Sequence, residues 1–377
     1  MPKVKILHTA DLHIGANESF LGTKAALRRA ETLLTFERIV DTAKENAVQL
    51  ILIAGDLLNS NKIEYSFIER IYEKINQASN IKIVFAAGNH DPLNSDSPLL
   101  KHSVPENLYI LAAKDDCIQF DDLSVRVYGR SFAEVYEKGT SQFSILPKED
   151  NTINIMCIHA DLGSGSASQY NPITNDFILS SKMDYIALGH VHKRSNIEKI
   201  GNTYYAYCGC PEGQGFDETQ QKGVYMGYLS KEECNLDFIP VCKRMHLVEN
   251  IDISSLCTPA EISQKILCLL KEKYGQDYTE NLYKITLSGE VDESADMNLN
   301  EILSRIKEEV YFAKLKDNTS FKTDLYELMK ENSLKGAFVR NMMLRIDNAH
   351  DEEKELLKSA LKLGLKAFKS EVSYNED

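Results

Sequence analysis

Five short apolar segments in this 377-residue chain are each followed within four residues by aspartate, asparagine or histidine side chains. The segments begin at residues 4, 50, 81, 153 and 185, and apolar runs of this length are typical of buried β-strands. The polar side chains are Asp11, His13, Asp56, Asn89, His90, Asp91, His159, His190 and His192. Because each group comes just past the carboxyl end of a strand, the pattern predicts that one face of a single sheet collects all of them.

This set of side chains has the chemistry of a two-metal site. Neutral imidazoles, carboxylates and an asparagine oxygen can together hold two divalent ions roughly 3.5 to 4 Å apart, a spacing that clamps a phosphate. Taken singly, the residues have ordinary structural interpretations: Asp11 could cap a turn, and His159 could be a core histidine with satisfied hydrogen bonds. Five clusters at strand ends favour the metal interpretation, because a structural account must find separate partners for many polar groups beside buried strands. The predicted reaction is hydrolysis of a phosphoester.

The order of the motifs, D-x-H, GD, GNHD, H and GHxH, resembles that of the calcineurin-like metallophosphoesterases. Within that superfamily, HTADLHIG at residues 8–15, LGHVHK at residues 188–193 and the stretch 207–223 are similar to DNA repair exonucleases of the SbcD and YhaO type. Two positions depart from the nuclease pattern: Ala160 stands where glycine usually follows the histidine, and Leu58 and Asn59 replace the common Phe-Asp after GD. The resemblance implies an α/β (α+β) fold, a four-layer β-sandwich flanked by helices.

Carried over to this sequence, the resemblance implies two metal ions. It implies that one ion is bound by Asp11, His13 and His192, and that the other is bound by Asn89, His159 and His190. Asp56 would bridge both ions, since a carboxylate offers two oxygens. A nitrogen and oxygen donor set without thiolate favours manganese or iron over a closed structural zinc site, although zinc competes by affinity. The resemblance favours manganese.

The resemblance also assigns the catalytic roles. His90 would be the proton donor to the departing sugar oxygen, and Asp91 would orient its ring. Arg130, Lys193 and Arg194 lie near the motifs and are candidates for contact with the substrate backbone.

Length and composition indicate the number of domains and the cellular location of the protein. With 43% hydrophobic and 26% charged residues, the chain is long enough for two domains. We expect a metallophosphoesterase domain at residues 1–242 and a smaller α+β accessory or capping domain at residues 243–377, with helices near 259–274 and 298–311 and a strand near 282–289. The eight cysteines have irregular spacings and no apolar run approaches transmembrane length, and because Met-Pro-Lys leads directly into the first strand we expect no signal peptide. These features predict a cytoplasmic protein.

The final helix, near residues 351–369, has a wide apolar face that includes Leu357, Leu361 and Phe368. The nuclease resemblance implies that such a helix docks on an SMC-like coiled-coil ATPase. The alternative is that it packs on the accessory domain of its own chain. Related nucleases also form homodimers, which is a further expectation.

Three functions stay open from the sequence. The first is a DNA exonuclease or endonuclease acting in DNA repair. The second is a phosphodiesterase or phosphatase for a nucleotide or another small phosphoester, which the net charge of −13 favours because DNA binding depends on Lys and Arg. The third is a regulatory scaffold with incidental metals, against which the complete ligand set and His90 argue.

Overall fold

A computed structural model of the protein describes residues 2–137, 143, 145, 147, 150–163, 168–219, 221–292, 295–321 and 325–368. The chain divides into two compact units, Met1–His246 and Leu247–Asp377.

The first sheet of the first unit begins with a parallel run of strands joined by helical crossovers. Its six strands are β1 (Val4–Thr9), β2 (Leu50–Ala54), β3 (Lys82–Ala86), β4 (Leu108–Ile110), β11 (Gly223–Leu229) and β12 (Cys234–Pro240). They lie in the order β12-β11-β1-β2-β3-β4, and β1 to β4 are mutually parallel. The connecting helices are α1 (Ala25–Glu45) and α2 (Tyr65–Asn76). Both helices bury one apolar face, for example Phe36 and Ile71, in a core cluster with Ile51 of the sheet.

The second sheet of this unit also has six strands. They are β5 (Asp116–Phe120), β6 (Val125–Arg130), β7 (Ile153–His159), β8 (Tyr185–Gly189), β9 (Glu198–Ile200) and β10 (Thr203–Tyr207), in the order β5-β6-β7-β8-β10-β9. Ile6 and Leu52 of the first sheet share a buried cluster with Ile155 and Ala187 of the second, so the two sheets pack face to face. The outer face of the second sheet packs on Ile178 of helix α3 (Asn175–Ser180). The predicted four-layer α/β sandwich flanked by helices is confirmed.

The second unit contains the α+β elements that the sequence predicts beyond residue 242. The strands are β13 (His246–Asp252), β14 (Leu282–Ser288), β15 (Glu290–Val291), β16 (Phe312–Asp317) and β17 (Ser320–Phe321), and the helices are α4 (Pro259–Tyr274), α5 (Leu299–Glu309), α6 (Leu325–Lys330), α7 (Leu334–Asn348) and α8 (Asp351–Ala367). Three strands lie in the order β13-β14-β16, and a two-stranded sheet pairs β15 with β17. The N-terminus of helix α4 is set by local sequence, because Thr258 and Glu261 form a reciprocal capping box and Pro259 occupies the first turn.

The apolar face of α8 packs on its own chain. Leu361 and Leu365 are buried with Leu328 of α6 and Val339 of α7. Gly364 allows a close approach, since a Cβ at that position would lie 2.1 Å from the ring of Phe338. This part of α8 therefore packs on its own chain, which is the alternative to docking on an ATPase. Other apolar side chains of α8 remain exposed.

Three 3₁₀ helices complete the secondary structure described here, at Ser19–Lys24, Pro98–Leu100 and Gly275–Glu280. In the described part of the chain, every helix is too short or too polar to cross a membrane.

Candidate metal centre

The predicted ligands come from both sheets of the first unit. Asp11 and His13 follow β1, Asp56 follows β2 and Asn89 follows β3, all in the first sheet. The ligands from the second sheet are His159, which ends β7, and His190 and His192, which follow β8. The prediction that a single sheet collects them was therefore wrong. The strand ends meet because the two sheets stack, with β2 against β7 and β8.

Glycines allow this close stacking at the strand ends. A Cβ on Gly189 would lie 1.7 Å from the carbonyl oxygen of Ala54, and a Cβ on Gly55 would lie 2.2 Å from His159 Nδ1. Gly55 also has a φ of 94°, in the left-handed region that favours glycine. The glycines of the GD and GHxH motifs thus serve the approach of the two sheets, and the metal-binding groups come together as a consequence.

Asp11, His13 and His192 form the first group of converging donors. One potential ligand atom from each lies within 4.8 Å of the others. The two imidazoles face each other, with His13 Nε2 3.0 Å from His192 Nε2. Asp11 is held by the backbone N–H of His190, which donates to its carboxylate at 3.0 Å. This group matches the first of the two predicted ligand sets.

His159 is the centre of the second group. Its Nδ1 lies 3.0 Å from the carbonyl oxygen of Ala54, and because a carbonyl only accepts, Nδ1 carries the proton. Nε2 then faces the other donors, at 3.0 Å from Asn89 Oδ1 and 3.4 Å from Asp56 Oδ2. The ring of His190 packs beside it, with centroids 5.1 Å apart. The structure therefore brings the donor atoms of His159 and Asn89 together and places the ring of His190 beside them.

Asp56 lies between the two groups, as a bridging ligand must. Its Oδ2 is 3.7 Å from His13 Nε2 and 3.4 Å from His159 Nε2. Its Oδ1 accepts the backbone N–H of His90 at 2.9 Å. A Cβ on Gly88 would lie 2.2 Å from that same oxygen, so the glycine of GNHD gives the carboxylate its space.

Several of these residues have strained backbones. Asp11, His13, Asp56 and His190 all have positive φ values, at 52°, 45°, 49° and 100°. Such conformations cost about 1 to 3 kcal/mol each in non-glycine residues and concentrate at functional sites. Backbone hydrogen bonds hold the turns in place, from Asp11 N–H to Gly55 O at 3.0 Å and from His13 N–H to Asp56 O at 2.9 Å.

The electrostatics of the site fit bound cations. Asp11 and Asp56 are buried, and their ion-pair partners are histidines. Burial raises the pKa of Asp11 to about 6. Burial alone would also raise the pKa of Asp56, but the nearby His159 and His13 lower it below its usual range. Two buried carboxylates among imidazoles form a donor set that two divalent ions would satisfy.

The pKa values of the histidines differ because their neighbours differ. Burial lowers the pKa of His13 to about 3 and that of His190 to about 4, which favours the neutral, ligating form of both. For His159 burial acts in the same direction, but Asp56 and Asp11 outweigh it and raise the pKa to about 9. His159 therefore differs from His13 and His190, because its carboxylate neighbours favour its imidazolium form.

The ring of His90 is oriented differently from the prediction. Its Nδ1 lies 3.0 Å from the carbonyl oxygen of Asn59, to which it donates. The two oxygens of Asp91 instead accept backbone N–H groups, from Gly88 at 2.8 Å and from Leu58 at 2.9 Å. Asp91 thus connects the two loops that bear Asp56 and His90. The ring of His90 is oriented by the carbonyl of Asn59 and not, as the sequence predicted, by Asp91. The exposed ring of His90 lies edge-on to His13, with centroids 4.6 Å apart.

The predicted substrate contacts have different surroundings. Arg130 hydrogen-bonds Asn171 and lies 3.6 Å from Asp115, so its guanidinium is held inside the fold. The guanidinium of Arg194 lies over the ring of Phe238, 3.9 Å from its centroid. Lys193, next to His192, is exposed. Arg194 is exposed as well, so Lys193 and Arg194 are open to solvent while Arg130 is held by its neighbours.

Two residues in contact with the predicted ligands were given no role from the sequence, although Glu218 lies in the stretch 207–223 that resembles the nucleases. Asn171 donates to the carbonyl oxygen of His159 at 3.1 Å and so connects Arg130 to a metal-ligand strand. Glu218 accepts from His192 Nδ1 at 2.5 Å. Burial lowers the pKa of His192, but hydrogen bonds with Cys210 and Glu218 outweigh this and raise it to about 11. The only signal in the sequence was an acidic residue in the Gly-rich stretch after GHxH, which gives no indication of its partner.

A layered sandwich with two groups of buried donors at its strand ends is the arrangement of a metal-dependent phosphoesterase. The family model described as calcineurin-like phosphoesterase matches residues 4–194, more than half of the chain. The chain therefore belongs to this family, whose members hydrolyse phosphoesters with two divalent metals.

Similar proteins include three prokaryotic relatives at modest identity. The uncharacterized metallophosphoesterase YhaO of Bacillus subtilis is 26% identical over 62% of this chain and 59% of that protein. The DNA double-strand break repair protein Mre11 of Methanopyrus kandleri is 25% identical over 58% of this chain and 51% of that protein. The SbcD subunit of the nuclease SbcCD of Staphylococcus epidermidis is 26% identical over 63% of this chain and 70% of that protein. The chain thus spans between half and three fifths of the length of the first two.

Proposed function

We propose that this protein is a two-metal-dependent phosphodiesterase that cleaves DNA as an exonuclease or endonuclease in DNA repair. The observation that carries the proposal is the meeting of donor atoms from two sheets, with the ring of His190 packed beside His159 and the backbone of His90 bonded to Asp56. The residues whose donor atoms meet are Asp11, His13, Asp56, Asn89, His159 and His192. In such a site, two divalent ions would polarise the phosphate and supply a nucleophile at neutral pH. The nuclease-type relatives support DNA as the substrate.

His90 is proposed as the proton donor to the leaving oxygen. Its Nδ1 is fixed on the carbonyl of Asn59, so Nε2 is the ring atom that can reach a substrate. The backbone N–H of His90 bonds Asp56, which sets the distance between the proton donor and the bridging carboxylate. An acid next to the metals favours cleavage of esters with poor leaving groups, such as the sugar oxygens of DNA.

Manganese is proposed as the physiological metal. The converging donors are imidazole nitrogens and carboxylate or amide oxygens, which suit manganese and iron. The thiol of Cys210 forms a group with Glu218 and His192 and is not in the groups that contain Asp11 and Asp56. Zinc therefore has no thiolate advantage in the two predicted ligand sets.

The substrate class can be tested directly. We expect manganese-dependent degradation of end-labelled single- or double-stranded DNA, with a kcat/KM above that for nucleoside monophosphates and cyclic nucleotides. The net charge of −13 favours the second candidate, a small phosphoester, because the protein as a whole repels DNA. Faster turnover of a nucleotide than of DNA at equal salt would establish that candidate. The same assay with bis-p-nitrophenyl phosphate shows whether the enzyme is active when DNA is not cleaved.

A partner protein is also proposed, because one relative is by name a subunit of a nuclease complex. We infer that an SMC-like coiled-coil ATPase docks on α8 through Leu356 and Leu363, which stay exposed while Leu361 is buried. Replacing both exposed leucines with aspartate should abolish co-purification with the ATPase and leave the melting temperature within about 2 °C, since surface changes rarely exceed ±0.5 kcal/mol. Unchanged binding by the double variant would eliminate this surface.

A further inference from the structure

We propose that Glu218 is a positioning residue for the metal centre, which holds His192 with Nε2 directed at the other ligands. The inference rests on the proposed two-metal site. Glu218 is not among the seven predicted ligands. Its replacement is expected to lower metal affinity as well as activity.

The contact between the two side chains defines the role. His192 Nδ1 lies 2.5 Å from Glu218 Oε1, and a carboxylate only accepts, so Nδ1 carries the donated proton. The opposite ring nitrogen, Nε2, lies 3.0 Å from His13 Nε2. A carboxylate on the far nitrogen of a ligating histidine fixes the tautomer and the ring plane, and it makes the ligating nitrogen more basic.

Glu218 is itself held by several donors. Its Oε2 accepts the backbone N–H of Gln214 at 3.0 Å and the thiol of Cys210 at 3.3 Å, with Lys222 Nζ 3.7 Å away. The carboxylate therefore has little freedom to leave His192. Charged acceptors with several donors form the stronger hydrogen bonds in proteins.

The same segment also holds the backbone of His192. The carbonyl oxygen of His192 accepts from Cys210 N–H at 3.2 Å and from Lys222 Nζ at 3.1 Å. Gly209, with a φ of 73°, allows this approach, since a Cβ there would lie 2.8 Å from that carbonyl. Cys210 and Lys222 thus hold the main chain of His192, and Glu218 holds its ring.

A buried ion-pair network fixes this segment on α1. Arg28, 1% exposed, donates to the carbonyl of Gly213 at 2.9 Å and lies 2.8 Å from Glu212 Oε2. Thr35 on the same helix donates to Glu212 at 2.6 Å. Removing one member of such a buried network is strongly destabilising, so these residues are unsuitable for testing the role of Glu218.

A third metal site is the competing interpretation of this cluster. One donor atom from each of His192, Cys210 and Glu218 lies within 4.8 Å of the others. Two observations favour positioning instead: the proton on Nδ1 occupies the donor atom that a cation would need, and Lys222 already supplies a positive charge beside Glu218. A cation here would have to displace both.

The test compares Glu218→Gln and Glu218→Ala with the matched control Asp217→Asn, which changes the exposed carboxylate next in the chain. Mn²⁺ binding to each full-length protein is measured by titration calorimetry without substrate. Loss of an outer-shell partner typically costs 10- to 100-fold in metal affinity, so we expect about 100-fold weaker binding of one ion in Glu218→Ala. Glu218→Gln, which keeps an acceptor but loses the charge, should weaken binding by about tenfold. The second ion and Asp217→Asn should be unaffected.

Several outcomes would overturn the proposal. One is binding of both ions by Glu218→Ala as in wild type, whatever its melting temperature. A second is an equal loss of affinity for both ions, which indicates a general structural defect. A third is a further equivalent of Zn²⁺ that wild type binds and Cys210→Ser does not, which would establish the metal-site alternative. Failure of the nuclease proposal is separate, because wild type would then bind two ions and leave DNA intact.

Discussion

Asp56→Asn is expected to lose metal binding and essentially all phosphoesterase activity, with a fall in kcat/KM of about 10³-fold or more, equivalent to about 4 kcal/mol. Asp56 is the carboxylate that lies between the two donor groups, within 3.7 Å of His13 and 3.4 Å of His159. Asparagine keeps an oxygen that can accept from His90 but offers neither the charge nor the second oxygen that bridging needs. Metal content by mass spectrometry and DNA cleavage are the measurements.

Stability separates this loss from misfolding. A ligand that binds only the folded state raises the melting temperature, so Mn²⁺ should stabilise wild type but not Asp56→Asn. Without added metal Asp56→Asn should melt below wild type, because it removes the buried carboxylate that pairs with His159 and His13. The readout is therefore the shift in melting temperature that Mn²⁺ produces in each protein, not the melting temperature without metal. Asp41→Asn, which removes a surface ion pair with Lys74, is the control and should keep metals and activity. DNA cleavage that persists in purified Asp56→Asn would show that the active site lies elsewhere.

His90→Asn is expected to keep both metal ions and to lower kcat by about 10²- to 10⁴-fold, the usual contribution of a general acid. The effect should depend on the leaving group. The sugar oxygen of DNA needs a proton as it departs, whereas p-nitrophenolate is stable as an anion, so the loss on bis-p-nitrophenyl phosphate should be much smaller. The measurement is kcat for both substrates at saturating Mn²⁺.

A different result would reassign His90. It forms a group of potential donors with His13 and Asp56, so it could itself be a metal ligand. In that case His90→Asn would lose metal and would slow both substrates equally. His102→Asn, which alters an exposed histidine stacked on Tyr65, controls for the general effect of losing an imidazole and should be neutral.

Much of the fold was predictable because the signals are local. The apolar runs that begin at residues 50, 153 and 185 become β2, β7 and β8, since a run of that length buried on both faces has few alternatives to a parallel strand. Thr258, Pro259 and Glu261 mark the start of α4 within a single turn. The motif order was also sufficient to place the chain in its family.

The residues of the candidate site could be predicted from the sequence, but their hydrogen-bond and packing partners could not. The sequence identifies Asp91 as polar and next to His90, but only the fold shows that its oxygens bond the backbones of Gly88 and Leu58. Likewise the sequence gives no sign that the guanidinium of Arg194, an exposed residue, lies over Phe238, a residue of a strand in the first sheet. Such partners are distant in sequence, and no periodicity reports them.

The sequence by itself therefore determined which side chains stand at strand ends and what chemistry they can support. Only the tertiary structure decided that two stacked sheets share the ligands, that a carbonyl orients His90, and that Glu218 holds His192. The physical reason is that strand and helix patterns record burial along a few neighbouring residues. Which strands pair, and which loops then meet, depends on contacts between residues far apart in the chain, such as His192 Nδ1 and Glu218 Oε1 across 26 positions.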